Sequence, residues 1–149
     1  MNTLYQNSKI YNASFKTLEL KPNLIEGNLD ARLVVFINSL NEAFLNENDK
    51  TFLMKMLGAV KHDISNTLII NDKSEIKFKQ LTAAGKATKM ICFGSTRNTI
   101  GLNLQLKRYK NYSRQGIECL FVDAIENLKD DKKRKGALWT LMKQMFNIA

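Results

Sequence analysis

Lys89–Gly101 reads KMICFGSTRNTIG, and its first half decides the fold class. Met90, Ile91, Cys92 and Phe93 form an apolar run with no polar alternation. Such a run fits a strand buried on both faces, as in a parallel sheet covered by helices. Gly94 ends it, and Ser95, Thr96, Arg97 and Asn98 make a polar turn leading into Ile100 and Leu102. In a doubly wound sheet the loop after a strand's carboxyl end is where ligands bind. Ser95, Thr96 and Arg97 are therefore candidate ligand-edge residues. Nothing in the stretch names a reaction.

Working outward, three more apolar runs of the same kind appear: Arg32–Asn38 (RLVVFIN), Thr67–Asn71 (TLIIN) and Ile117–Val122 (IECLFV). Amphipathic segments separate them. Asn46–Lys61 is expected to be helical, capped by Asn48 or Asp49, with Phe52, Leu53, Met56, Leu57 and Val60 on one apolar stripe. Ser74–Ala84 suits a short helix using Ile76, Phe78 and Leu81, with Gly85 as its stop. Asp131–Phe146 suits a last helix with Leu138, Leu141, Met142 and Met145 inward. Asn98–Lys110 reads two ways: Ile100, Leu102, Leu104 and Leu106 alternate like a strand, while a helix there suits a βαβ plan. Alternating strands and helices predict an α/β fold, a four-stranded parallel sheet with helices on both sides. Right-handed crossovers then bring the strand ends Asn38, Asn71, Gly94 and Asp123 to one edge.

The chain has 149 residues, 44% apolar and 25% charged, which suits one ordinary globular domain. Residues 1–31 carry scattered anchors (Leu4, Tyr5, Ile10, Tyr11, Phe15, Leu18 and Leu20) without a clean period. They read as an N-terminal arm packed on a 32–149 domain, or as a partner-binding arm that orders on contact. With 23 basic against 14 acidic residues the net charge is +9, which points to an anionic partner, nucleic acid first. No run approaches the ~18 apolar residues that span a bilayer. MNTLYQNSK lacks a basic region followed by an apolar core, so no signal peptide is expected. Cys92 and Cys119 lie inside strand-like runs. They are expected to be buried, reduced thiols of a cytoplasmic protein, since a metal would want more ligands at closer spacing.

Chemistry is sparse. His62 is the only histidine and falls at a helix end, where a cation is favoured by the dipole. No Ser/Cys–His pair has a local signature, and Gly94 and Gly101 lack the companions of a phosphate loop. Asp123 is either a functional carboxylate or a cap for Ile125–Lys129, and the cap is preferred. Asn38 and Asn71 are amides at strand ends that also serve to satisfy loop backbone groups. Lys132, Lys133, Arg134 and Lys135 open the last helix behind Asp130 and Asp131. They form either a solvated face or an anion site for phosphate or an acidic partner.

Three stretches carry a resemblance. Asp49–Asn71 (DKTFLMKMLGAVKHDISNTLIIN) is similar to the helix-to-strand segment of uracil-DNA glycosylases, and Ile91–Leu102 (ICFGSTRNTIGL) to their strand-turn-helix. Ile125–Phe146, with Lys135, Leu138 and Trp139, resembles that superfamily's ending and also the psi accessory subunit of bacterial DNA polymerase III. The resemblance covers about residues 32–146 and implies a three-layer αβα sandwich. It breaks where the chemistry should be. The glycosylases have a Gly-rich loop with a water-activating residue after the first strand; here stands Asn38-Ser39-Leu40-Asn41-Glu42-Ala43. Their fourth strand leads to a His that stabilises the leaving uracil anion; here stands Asp123-Ala124-Ile125, and an aspartate repels that anion. Asn71 alone falls on a family position, the amide that reads the base.

The resemblance therefore implies a glycosylase-like fold without catalysis or cofactor. Its expected role is that of an accessory protein in DNA replication, binding polymerase or clamp-loader subunits. The alternative is a nucleic-acid binder that keeps the superfamily's DNA-facing edge.

Overall fold

The structure is a computed structural model and describes residues 25–37, 46–71, 77–84, 86–94 and 107–148. The strands are β1 (Ile25–Gly27), β2 (Leu33–Ile37), β3 (Thr67–Asn71), β4 (Lys89–Phe93), β5 (Asn111–Arg114) and β6 (Ile117–Val122). The helices are α1 (Glu47–Ala59), α2 (Phe78–Ala84), α3 (Ile125–Leu128) and α4 (Lys132–Met145), with a 3-10 turn at Ile64–Asn66. The six strands form one mixed sheet in the order β1-β3-β2-β4-β6-β5. The four expected strands pair in parallel at its centre. A four-stranded parallel sheet is nevertheless too small a description, because β1 and β5 add antiparallel edges.

Register explains why the central runs are apolar throughout. Ile69, Val35, Ile91 and Leu120 align across the four strands and belong to the core on one face. One residue along, Ile70, Phe36, Cys92 and Phe121 align and belong to the core on the other. Every residue of β2 is buried. Each such side chain contributes roughly 1.5–3 kcal/mol on leaving water, comparable with the ~1–2 kcal/mol of backbone entropy lost per residue. Polar residues on either face would remove that balance.

The first face is covered by Leu53, Leu57 and Val60 from α1 and its cap, Ile125 and Leu128 from α3, and Leu138, Met142 and Met145 from α4. The second is covered by Phe78 and Leu81 of α2. The chain moves from β2 to β3 through α1, then back across β2 to β4 through α2 on the opposite face. Reversing direction while changing face preserves the crossover hand. No helix among the described residues is long and apolar enough to cross a membrane.

Local chemistry sets the boundaries. The N-cap of α1 is Asn46, whose side chain accepts the Asp49 N–H at 2.9 Å, so the expected caps Asn48 and Asp49 lie inside the helix. Asp131 caps α4, accepting the Arg134 N–H at 3.1 Å. The expected helix over 74–84 is described only from Phe78, and residues 98–106 and Gly85 lie outside the described residues. Between β5 and β6, Gln115 (φ 50°) and Gly116 (φ 83°) both have positive φ, the signature of a tight type I′ hairpin. Cys92 and Cys119 are buried and unbridged, and burial pushes the Cys119 thiol up to about 12.

Part of the expected N-terminal arm is built into the sheet. Ile25–Gly27 pairs with β3, Ala31 is buried, and Asn28 N–H donates to Thr67 O at 3.0 Å. Residues 1–24 lie outside the described residues. Gly27 has φ 104°, and a Cβ there would stand 2.0 Å from Thr67 O. Gly27→Ala is therefore expected to destabilise the fold by at least ~1–3 kcal/mol, the range for strained backbone alone. Urea unfolding should show a lowered midpoint with an unchanged slope, whereas Gly136→Ala, in open space, should not.

Candidate functional site

Parallel pairing puts the carboxyl ends of β3, β2, β4 and β6 on one edge. Gly94 N–H donates to Val122 O at 2.9 Å, which fixes the ends of β4 and β6 level with each other. Asp123 follows immediately and is 8% exposed. Antiparallel β5 brings the preceding turn to the same place, where Tyr109 N–H donates to Phe121 O at 2.7 Å. Helix α4 starts there too.

Three chain segments thus meet at one carboxylate. Arg108 Nη1 lies 2.5 Å from Asp123 Oδ1, and Tyr109 Oη donates to Oδ2 at 2.5 Å. Arg134 Nη1 stands 3.6 Å from Oδ2, while its Nε lies 3.4 Å from Asp131. The cap expected of Asp123 is not what it forms. Ala124 occupies the N-cap of α3 with no side-chain cap bond, and the carboxylate braces the 107–110 turn against β6 and α4 instead. Burial, and then the hydrogen bond to Asp123, push the Tyr109 phenol up to about 12. Sequence reasoning missed Arg108 and Tyr109, because their role depends on a hairpin that brings them back to the end of β6.

Asn71 and His62 do not join this cluster. Asn71 is fully buried at the end of β3, three strands from β6. At ~4.8 Å per strand that is roughly 14 Å, too far to share a small ligand atom with Asp123. Asn38, Ser95, Thr96 and Arg97 lie outside the described residues. His62 belongs to the opposite edge: it precedes β3, its Nδ1 is 2.8 Å from Val60 O, and its ring meets Phe146 edge-on at 5.1 Å. A five-residue strand separates the two edges by about 16 Å. His62 N–H donates to Leu57 O at 2.8 Å, closing α1 as its position at a helix end suggests.

The basic run at the start of α4 divides. Lys132 and Lys133 are exposed and have no ion-pair partner among the described residues. Arg134 is committed to Asp123 and Asp131. Lys135 is half-buried and turns toward α1. Exposed cations in a first helical turn cost about 0.3–1 kcal/mol each, and the Asp131 cap offsets part of this.

Between α1 and α4 lies an open groove of about 440 Å³, with Asn48, Phe52, Lys55 and Met56 on one side and Lys129 and Lys135 on the other. Phe52 and Met56 were expected in the core stripe; they flank it, half-buried, with part of their surface open to the groove. Lys129 is bound to the buried Asp49 at 2.8 Å, and that hydrogen bond raises its pKa. Among the described residues no group of three or more His, Cys, Asp or Glu could hold a metal ion.

No family model matches the chain, and no curated protein matches its sequence.

The Tyr109–Asp123 bond predicts a pH dependence. A phenol whose folded pKa is raised stabilises the fold fully below its ordinary value of 10.0 and loses that contribution as pH rises through about 12. Tyr109→Phe should lower stability at neutral pH by about 1.5–3 kcal/mol, the net worth of a hydrogen bond to a charged group. It should also lack the wild-type loss between those two values. Chemical unfolding across that range, with spectroscopic titration of tyrosinate, checks both.

Proposed function

We propose that this chain is a non-catalytic binding protein, an accessory subunit or adaptor of the replication kind that the psi-subunit resemblance implies, acting through protein–protein contacts. The observation that carries the reading is the state of Asp123. The carboxylate best placed on the ligand edge has both oxygens taken by Arg108, Tyr109 and Arg134. The only imidazole of the chain stands on the other edge. General acid–base catalysis needs a group within hydrogen-bond reach of its proton, and neither residue has that freedom at this edge. A uracil-DNA glycosylase-like αβα sandwich is part of the proposal. It is supported by four parallel central strands with helices on both faces. Two buried, unbridged thiols suit a cytoplasmic location.

Nucleic-acid binding is the second reading. It is favoured by Lys132 and Lys133, exposed and unpaired among the described residues at a helix N-terminus, and by the net charge of +9. Against it, the neighbouring cations Arg108, Lys129 and Arg134 are each already set against a carboxylate. Phosphates gain most from cations whose charge is not already neutralised.

A tagged pull-down with and without nuclease separates the two. Partners held by protein contacts should survive nuclease; capture that vanishes with nuclease would favour the second reading. The purified protein should also release no uracil from single- or double-stranded DNA. Each missing acid–base role costs ~10²–10⁴-fold, and two family roles are unfilled at the expected motifs. Uracil release abolished by Asn71→Ala would overturn the non-catalytic reading.

A further inference from the structure

The groove between α1 and α4 pairs an apolar floor with unneutralised cations. We propose that it docks an acidic segment of a partner protein, with an apolar side chain seated on Phe52 and Met56 and carboxylates set against Lys55 and Lys135. The proposal rests on the adaptor reading and names the surface and partner chemistry that reading leaves open.

Three observations carry it. First, the groove is open to solvent and is lined from both α1 and α4, so a chain segment can lie across it without being enclosed. Second, its floor is a thioether beside a single aromatic ring. Methionine adapts to varied apolar side chains, whereas strand-tracking nucleic-acid grooves rely on successive aromatic platforms. Third, the charges are divided. Lys129 is held by Asp49 at 2.8 Å, while Lys55 and Lys135 have no ion-pair partner among the described residues. Lys135 also lies in the amino-terminal part of α4, where the helix dipole disfavours a cation. An incoming carboxylate relieves that repulsion.

The test uses the full chain and a fluorescein-labelled acidic peptide rich in Asp and Glu with one Leu and one Phe, read by anisotropy. Its controls are the same peptide with Leu and Phe changed to Ser, and a thymidine oligonucleotide. The proteins are wild type, the Lys55→Glu/Lys135→Glu double variant, and a Lys79→Glu/Lys107→Glu control with the same charge change outside the groove. Thermal unfolding checks that all three are folded. Wild type and the control should bind the anchored peptide saturably, and the groove variant should bind it at least roughly tenfold more weakly, since two exposed pairs become repulsions. The Ser peptide should bind more weakly than the anchored one. No binding of the anchored peptide, equal binding by the groove variant, or equal binding of the Ser peptide would each overturn the proposal. So would tighter binding of the oligonucleotide that depends on the same two lysines.

The pull-down, repeated with the groove variant, separates this proposal from the reading beneath it. Nuclease-resistant partners retained by the variant would refute the groove and leave the adaptor role standing. Absence of any nuclease-resistant partner for wild type would refute the adaptor role itself.

Discussion

Two-sided burial of the central parallel strands is the constraint from which the rest of the molecule follows. β2 and β4 have neighbours on both sides and helices over both faces, so their side chains have no polar direction in which to point. This requires crossovers on opposite faces, and it gathers the carboxyl ends of four strands at one edge. The order β3-β2-β4-β6 also places a topological switch point between β2 and β4, where crevices form in doubly wound sheets. The stretch that decides the fold ends with Gly94 at the carboxyl end of β4, on that edge of the sheet. Fold and candidate site are thus two consequences of one pattern.

What could be read from the chain follows the same logic. Val34–Ile37, Leu68–Ile70, Met90–Phe93 and Leu120–Val122 were legible because continuous apolar runs have few other uses at that length. The edge strands were not. Asn111–Arg114 is half-exposed and carries a single aromatic that packs inward, Tyr112 against Phe121 at 6.2 Å. Its hairpin turns on Gln115-Gly116, weaker as a signal than Asn-Gly or Asp-Gly. Ile25–Gly27 is only three residues long, and what marks it is a glycine pressed against Thr67 O rather than any periodicity.

The site was legible in position but not in chemistry. Placing Asp123 on the ligand edge required only the topology, whereas finding its partners required the return of the chain through β5. A sequence window around Asp123 contains neither Arg108 nor Tyr109, and Arg134 sits in a basic run that reads as solvated. The α1 cap failed for a related reason: Asn46, Asn48 and Asp49 are all capable caps, and the choice among them depends on where the helix axis meets the sheet. Phe52 and Met56 satisfy a helical apolar period whether they face a core or a groove, so periodicity alone could not separate them from Leu53 and Leu57.

These electrostatics divide the edge into two zones of different character. Around Asp123, carboxylate and guanidinium groups neutralise one another while a phenol closes the remaining direction. Asp123 itself is nearly buried while both guanidinium groups reach solvent, so the cost of removing a partner falls mainly on the carboxylate left underpaired. Around α1 and the start of α4, Lys55, Lys132 and Lys133 are exposed and positive, and the two on α4 are partly opposed by the dipole of their own helix. Arg134 links the zones, with its backbone N–H on the Asp131 cap and its side chain reaching both Asp131 and Asp123. By holding the first turn of α4 to the end of β6, it fixes the direction in which Lys132, Lys133 and Lys135 leave the helix. The buried acid is therefore tied, through Arg134, to the helix turn from which the bases project.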